Sequence, residues 1–228
     1  MCWGGGGAVT ALTTSAPIVK GETGWHRDDV HPELIAHWPG LGLASKTRVL
    51  VPLCGATPDM QWLAEQGHEV IGVELSKLAI ERFLARHRVK HIVMEEQGFR
   101  VYLGGRFNIW CGDMFALPSE VMRSVDAIYD RASLVALPPD LRGRYARMLG
   151  EHIAPATRGL LISLDYDQGQ MNGPPFSVPM SHVHDLLGGS FDIETVGATD
   201  ALDDGMRKRG LDALRETTYR LTRKDRAR

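Results

Sequence analysis

Along this chain the spacing of apolar residues switches between a tight run and a helical period, and each switch marks the joint of a strand–helix unit. Val49, Leu50, Val51 and Leu53 form a short apolar run bounded by Pro52 and Gly55, the pattern of a strand buried on both faces. Thr57 can cap the helix that follows, Pro58 suits its first turn, and Asp59 sits where the helix dipole favours an anion. Met60, Leu63 and Ala64 then recur at helical spacing until Gly67 ends the segment. Val70, Ile71 and Val73 make a second strand with Glu74 at its carboxyl end. The segment from Arg48 to Glu74 therefore reads as strand, tight loop, amphipathic helix, strand.

The same alternation continues. Phe107, Ile109 and Trp110 predict a strand, as do Val125–Arg131, Gly159–Leu164, Phe191–Val196 and Glu216–Leu221. Helices are predicted near 58–66, 76–88, 116–123 and 139–152. Across 24–44, Trp25, Leu34, Ile35 and Trp38 predict a helix that lies over the sheet edge and buries a large apolar area. Strands alternating with helices at short linkers predict one doubly wound, Rossmann-like α/β domain, without an internal repeat.

Composition narrows the function without adding to the fold. A chain of 228 residues suits a single domain with a sizeable core. The net charge of −2 gives no global pull towards nucleic acid or a membrane surface. No apolar run approaches the roughly 20 residues of a membrane span. Residues 1–20 are small and glycine-rich, are expected to be flexible, and lack the basic start and apolar core of a signal peptide. The three cysteines, Cys2, Cys54 and Cys111, show no pairing or metal spacing, which suits a reducing cytoplasm. Cys54 and Cys111 read as small residues packed beside a ligand. His182 and His184 lack acidic or thiol ligands at metal spacing, and Arg207-Lys208-Arg209 reads as solvated surface. The expected protein is cytoplasmic and monomeric, and its partner is a small molecule.

The candidate chemistry gathers at the carboxyl ends of the strands. Glu74 stands about 20 residues past Gly55, well placed to grip the hydroxyls of a bound ribose. The loop Leu53-Cys54-Gly55-Ala56-Thr57-Pro58 has one glycine, where a pyrophosphate would need several for close backbone approach. S-adenosylmethionine carries a ribose and an adenine but an amino acid in place of phosphates. The loop alone leaves this cofactor and other nucleosides open. After the strand at Phe107, Gly112-Asp113-Met114 can meet an adenine edge, with Asp113 or its neighbours accepting from the exocyclic amine. Tyr129, Asp130 and Arg131 deliver polar groups to the same edge, and Asp165 and Asp167 follow a strand that ends there.

Taken together, VLVPLCG, DMQWLAEQGHEVIGVELS, GDMFALP, VDAIYDRASLVALPP, LLISLDYDQ and GPPFSVP resemble the thiopurine S-methyltransferase family, especially its bacterial members, from about Gly24 to Arg223. The resemblance implies a class I S-adenosyl-L-methionine-dependent methyltransferase domain over 21–228, with an N-terminal lid at about 24–44. It implies a seven-stranded, mostly parallel sheet with an antiparallel strand near the C-terminus. By position it places Leu53, Glu74 and Arg131 against the cofactor, and the same motifs bring in Gly55, Leu75, Gly112, Asp113 and Met114. Trp25 falls where the family has an aromatic wall of the acceptor site, and Asp165 is the further acceptor candidate. Arg131 is expected to position acceptor or cofactor, with no obligatory base, because aligning a thiolate behind an activated methyl group supplies much of the acceleration. The activity implied is methyl transfer to the sulfur of a small aromatic or heterocyclic thiol. A specialised natural-product thiol methyltransferase and a non-catalytic cofactor-binding protein are the alternatives. The chain departs from the family at Ala56, where a lysine is usual, at Ile18, where a tryptophan is usual, and throughout Met1–Lys20. These departures bear on the lid and on acceptor choice.

Overall fold

The computed structural model describes residues 29–225. Its centre is a parallel sheet of β1 (Arg48–Pro52), β2 (Glu69–Glu74), β5 (Phe107–Cys111), β6 (Ala127–Asp130) and β7 (Arg158–Asp165). Two antiparallel pairs extend it, β3 (Ile92–Glu96) with β4 (Phe99–Gly104) on one side, and β8 (Phe191–Asp200) with β9 (Arg215–Arg223) on the other. The order is β3-β4-β5-β2-β1-β6-β7-β9-β8. The chain winds outward from β1 in both directions, so a crevice opens where β1 and β6 diverge at their carboxyl ends.

Strand residues divide by parity between two cores. Leu50, Ile71, Val73, Ile128 and Leu161 face one cluster, where α6 (Pro139–His152) and α7 (Met180–Leu187) contribute Tyr145, Leu149, Val183 and Leu187. Val49, Val51, Val70, Ala127, Tyr129, Leu160 and Ile162 face the other. There α1 (Pro32–His37), α2 (Asp59–Glu65) and α3 (Lys77–Arg86) supply Leu34, Met60, Leu63 and Phe83. Burial on both faces is why these strands read as continuous apolar runs. Among the described residues no helix is long and apolar enough to cross a membrane.

The doubly wound α/β reading holds, with corrections at its margins. The sheet has nine strands among the described residues, not seven. The extra pair is the β3–β4 hairpin, whose turn residues Gln97 and Gly98 both lie in the left-handed region, at φ 48° and 85°. That is the geometry of a type I′ turn, set here by Gln-Gly instead of the usual Asn-Gly or Asp-Gly. Because β3 is exposed on both faces, it offers no burial period to read. β8 and β9 are antiparallel to one another as expected. The helix expected near 116–123 splits into a 3-10 turn at Met114–Ala116 and α4 (Ser119–Arg123), because Leu117 takes the extended backbone that a following proline favours. A short α5 (Ser133–Ala136) and α8 (Asp204–Lys208) went unpredicted, as did α7.

Candidate functional site

The loops after β1, β2, β5 and β6 enclose a cavity of about 430 Å³, within the usual range for small-molecule sites. Its lining includes Leu53, Gly55, Glu74, Leu75, Gly112, Asp113, Met114 and Arg131, so the eight residues expected at a cofactor share one space. The first loop is shaped by its backbone. Leu53 and Gly55 have φ of 49° and 55°, and a leucine rarely occupies that region. The conformation is held from the neighbouring strand by Cys54 N–H donating to the Val73 carbonyl at 3.0 Å, and within the loop by Thr57 N–H donating to the Cys54 carbonyl at 3.3 Å. Gly112 is required for a different reason, since a side chain there would run into the Phe99 ring.

Glu74 is buried and held by the backbone alone. Gly55 N–H donates to Oε2 at 2.8 Å and Ser76 N–H to Oε1 at 2.7 Å. Burial pushes its carboxyl up from the usual range, opposed by the N–H groups of Ser76, Gly55 and Leu75. Each oxygen keeps acceptor capacity for a hydroxyl brought into the cavity. Asp113 accepts from Phe115 N–H at 2.9 Å through Oδ1 and thereby caps the 3-10 turn. Burial, then the charge of Glu74, pushes the Cys54 thiol well up, so Cys54 is an apolar wall. Cys111 reaches the Leu75 carbonyl at 3.9 Å and also has its thiol raised by burial.

Asp59 is the residue that pattern reading missed. The sequence places it at a helix start, where it lies just after Pro58, its N–H donating to Thr57 Oγ1 at 3.3 Å. Its side chain does more than meet the dipole. Fully buried, it accepts from Tyr129 Oη at 2.8 Å and Arg131 Nη1 at 3.2 Å on Oδ2, and from His31 N–H at 2.8 Å on Oδ1. Burial and the charge of Asp59 keep the Tyr129 phenol protonated, as a donor. The same acid thus fixes the Arg131 fork and ties it to the residue that caps α1. Glu33 N–H donates to His31 Nδ1 at 3.3 Å, which puts the ring proton on Nε2, facing Glu216 at 3.2 Å. Thr218 Oγ1 donates to Glu33 at 3.0 Å, so α1 is pinned across β9.

Other expected residues stand apart. Trp25 and the lid up to residue 28 lie outside the described residues. Within the described part of that lid, Leu34 and Trp38 are buried as expected, but Ile35 is 48% exposed. Leu34 and Trp38 share one helical face at i, i+4, and Ile35 falls on its flank. Asp165 does not line the cofactor cavity but a shallow groove with Tyr166, Ser177 and His182. Among the described residues no three His, Cys, Asp or Glu side chains are grouped to hold a metal ion.

This geometry can be set beside known proteins. Residues 16–224 match the model of the family described as thiopurine S-methyltransferase. A thiopurine S-methyltransferase of Pseudomonas entomophila (strain L48) is 46% identical over 204 residues, covering 89% of this chain and 94% of the relative. One of Bordetella petrii is 45% identical over 205 residues, covering 89% and 94%. Among solved structures, one described by conversion of a disulfide bond into a thioacetal group during echinomycin biosynthesis superposes with TM-score 0.65 at 18% identity, covering 96% of this chain and 94% of that one. The Burkholderia thailandensis 1,6-didemethyltoxoflavin-N1-methyltransferase, with 1,6-didemethyltoxoflavin and S-adenosylhomocysteine bound, gives 0.61 at 20% identity, covering 96% and 88%. These structural likenesses carry the fold.

Proposed function

This chain belongs to the thiopurine S-methyltransferase family and is an S-adenosylmethionine-dependent S-methyltransferase of thiols, and we propose that its acceptors are small aromatic or heterocyclic thiols that arrive already ionised. The single observation carrying this is the lining of the cavity. Among the described lining residues there is no histidine or lysine, the carboxylates of Glu74, Asp59 and Asp113 each accept from protein donors, and the Cys54 thiol is held protonated. Such a site offers a poor general base. It offers instead the guanidinium groups of Arg82, Arg86 and Arg131, and an acidic heteroaromatic thiol needs no base near neutral pH.

The residues fit the cofactor. Glu74 would accept from the ribose hydroxyls with the oxygens that Gly55 and Ser76 orient. Leu53, Gly55 and Leu75, which line the cavity beside Glu74, would form the wall behind the sugar, and Gly112, Asp113 and Met114 would hold the base. Bound there, S-adenosylmethionine supplies a methyl group activated on a sulfonium. The protein's part is to exclude water and hold the acceptor sulfur in line, which supplies much of the acceleration. Arg131, fixed by Asp59, attracts the thiolate or steadies a neighbouring group. Trp25 is assigned to the acceptor wall and Asp165 to an outlying acceptor contact.

Turnover of a panel of thiols with methyl-labelled donor tests the reading. Acidic heteroaromatic and aryl thiols should exceed aliphatic thiols by at least about tenfold in kcat/KM at neutral pH, since the thiolate fraction differs by that much or more. In Arg131→Lys the charge stays but the planar fork is lost, so turnover of the acidic thiols should fall while the melting temperature changes little. Equal turnover of aliphatic thiols would overturn the acceptor class. Tight cofactor binding with no transfer to any thiol would leave only a binding role.

A further inference from the structure

The contacts that hold Arg131 do not end at the cavity wall. Asp59 Oδ2 accepts from both Tyr129 and Arg131, so the guanidinium stands where the phenol sets the acid. The Tyr129 ring packs edge-on against the Trp38 ring, with centroids 6.3 Å apart and planes at 89°. Trp38 follows α1 directly and is buried. It donates from Nε1 to His68 Nε2 at 3.0 Å, with the two rings edge-on at 5.7 Å. His68 immediately precedes β2, whose far end carries Glu74, so the imidazole sits at the amino edge of the sheet, opposite the site. Neither Trp38 nor His68 lines the cavity.

The bond from Trp38 fixes the state of the imidazole. An indole N–H only donates, so His68 is neutral and carries its proton on Nδ1. That Nδ1 is buried and has no partner among the described residues. Arg106, on the turn between β4 and β5, donates through Nη1 to the Gly67 carbonyl at 3.0 Å and so brings a positive charge beside the ring. No carboxylate among the described residues offsets it there. Burial, and then the Arg106 charge, hold His68 below the ordinary imidazole value. A protonated His68 has no lone pair for Trp38, and the indole N–H is then buried without an acceptor.

We propose that His68 and Trp38 are positioning residues for methyl transfer: the imidazole anchors the indole, the indole backs Tyr129, and Tyr129 sets Asp59 and with it Arg131. Glu74 takes no part in this run of contacts, since Gly55 and Ser76 hold it. On the reading that Arg131 acts upon the acceptor, loosening His68 disturbs turnover and leaves donor affinity alone. Because folding holds the imidazole value down, the Trp38 bond is intact at neutral pH. It is lost as pH falls below about 6.5 and through the folded value. Turnover therefore carries an acid limb set by a residue outside the cavity.

Turnover of pentafluorobenzenethiol, whose thiol stays ionised in mild acid, tests this with methyl-labelled donor. His68→Gln sets a carbonyl oxygen near the position of Nε2 and does not titrate. It should keep turnover within about twofold of wild type at about pH 7.5 and lose the acid limb. The ratio of wild type to this variant should then fall at least about threefold by about pH 4.5, a comparison that cancels every other titration. His68→Leu removes the acceptor, so kcat at neutral pH should fall at least about threefold, while calorimetry gives a Kd for S-adenosylhomocysteine within about twofold of wild type. In an Arg131→Lys background, His68→Leu should cost less than about twofold more, because its effect passes through that arginine. Melting confirms that each variant is folded. A ratio flat with pH overturns the proposal, as does donor affinity falling in step with turnover, or a full penalty for His68→Leu in the Arg131→Lys background. A cost from Arg131→Lys with none from His68→Leu sinks this proposal alone. No cost from Arg131→Lys removes the reading of that arginine, and this proposal with it.

Discussion

At the carboxyl edge of the sheet, Glu74 at the end of β2 and Asp59 at the start of α2 stand in one cavity wall with different kinds of partner. Glu74 is held by the N–H groups of Gly55 and Ser76. Asp59 gathers a phenol, a guanidinium and a distant backbone N–H. Backbone donors stay where the loop puts them, so Glu74 has a fixed aim and spare acceptor capacity to give a ligand. Side-chain donors move with the residues that carry them. Asp59 therefore gives its capacity to the protein, and its product is the position of Arg131. One acid is built to bind and the other to organise.

Removing the organiser should cost most. Asp59→Ala strands the Tyr129 hydroxyl, the His31 N–H and part of the Arg131 fork, so stability should fall by about 3 kcal/mol and turnover should collapse with it. Thermal melting and kcat together check this. A loss of turnover at unchanged stability would mean that Asp59 acts on ligand directly and that the contrast with Glu74 is false.

Removing the binder should act on ligand affinity instead. Glu74→Ala loses one or two hydrogen bonds to a charged acceptor, each worth roughly 1.5–3 kcal/mol, so affinity for S-adenosylhomocysteine should fall at least about tenfold. Titration calorimetry reads it. Unchanged affinity in a folded variant would remove Glu74 from the site.

The smallest effect is a matter of sign with pH. Burial raises Glu74, and Asp130 likewise despite its Tyr145 and Ser133 donors. A carboxyl raised by folding contributes stability that is full below its unfolded value, about pH 4, and is lost as pH climbs through the folded value. Ribose hydroxyls, by contrast, donate best to the ionised carboxylate, so donor affinity should strengthen over that window. Comparing wild type with Glu74→Gln by melting and by calorimetry from about pH 4 to about pH 7 should give two differences of opposite slope. Parallel slopes would show that the carboxylate is not what the ligand senses.

The contrast between the two acids also explains what could be read from sequence. Glu74 was legible because strand, loop, helix and strand follow one another within a short stretch, and Gly55, its first partner, lies only 19 residues away. In the sequence Asp59 reads as a helix-start anion, correct in place and incomplete in role. Its partners lie 28, 70 and 72 residues off in the chain, and only the fold assembles them. Among the elements, α6 was predicted to its ends because two prolines open it and an amphipathic period fills it. The β3–β4 hairpin was missed because nothing buries β3. Asp165 ends β7 on the ligand edge, but a strand end fixes only the rim, and the residue lines the neighbouring groove.

Leu53 carries a consequence of its own. A leucine held at φ 49° by the hydrogen bonds of its neighbours makes the first loop a stiff one. Association then has little chain entropy left to remove, and the observed binding rate should rise in proportion to donor concentration without levelling at a slow isomerisation. A glycine at 53 would relieve the backbone and loosen the mould together. In a protein whose reaction needs alignment above all, the stiffness of one strained residue is a form of catalytic memory carried in the loop itself.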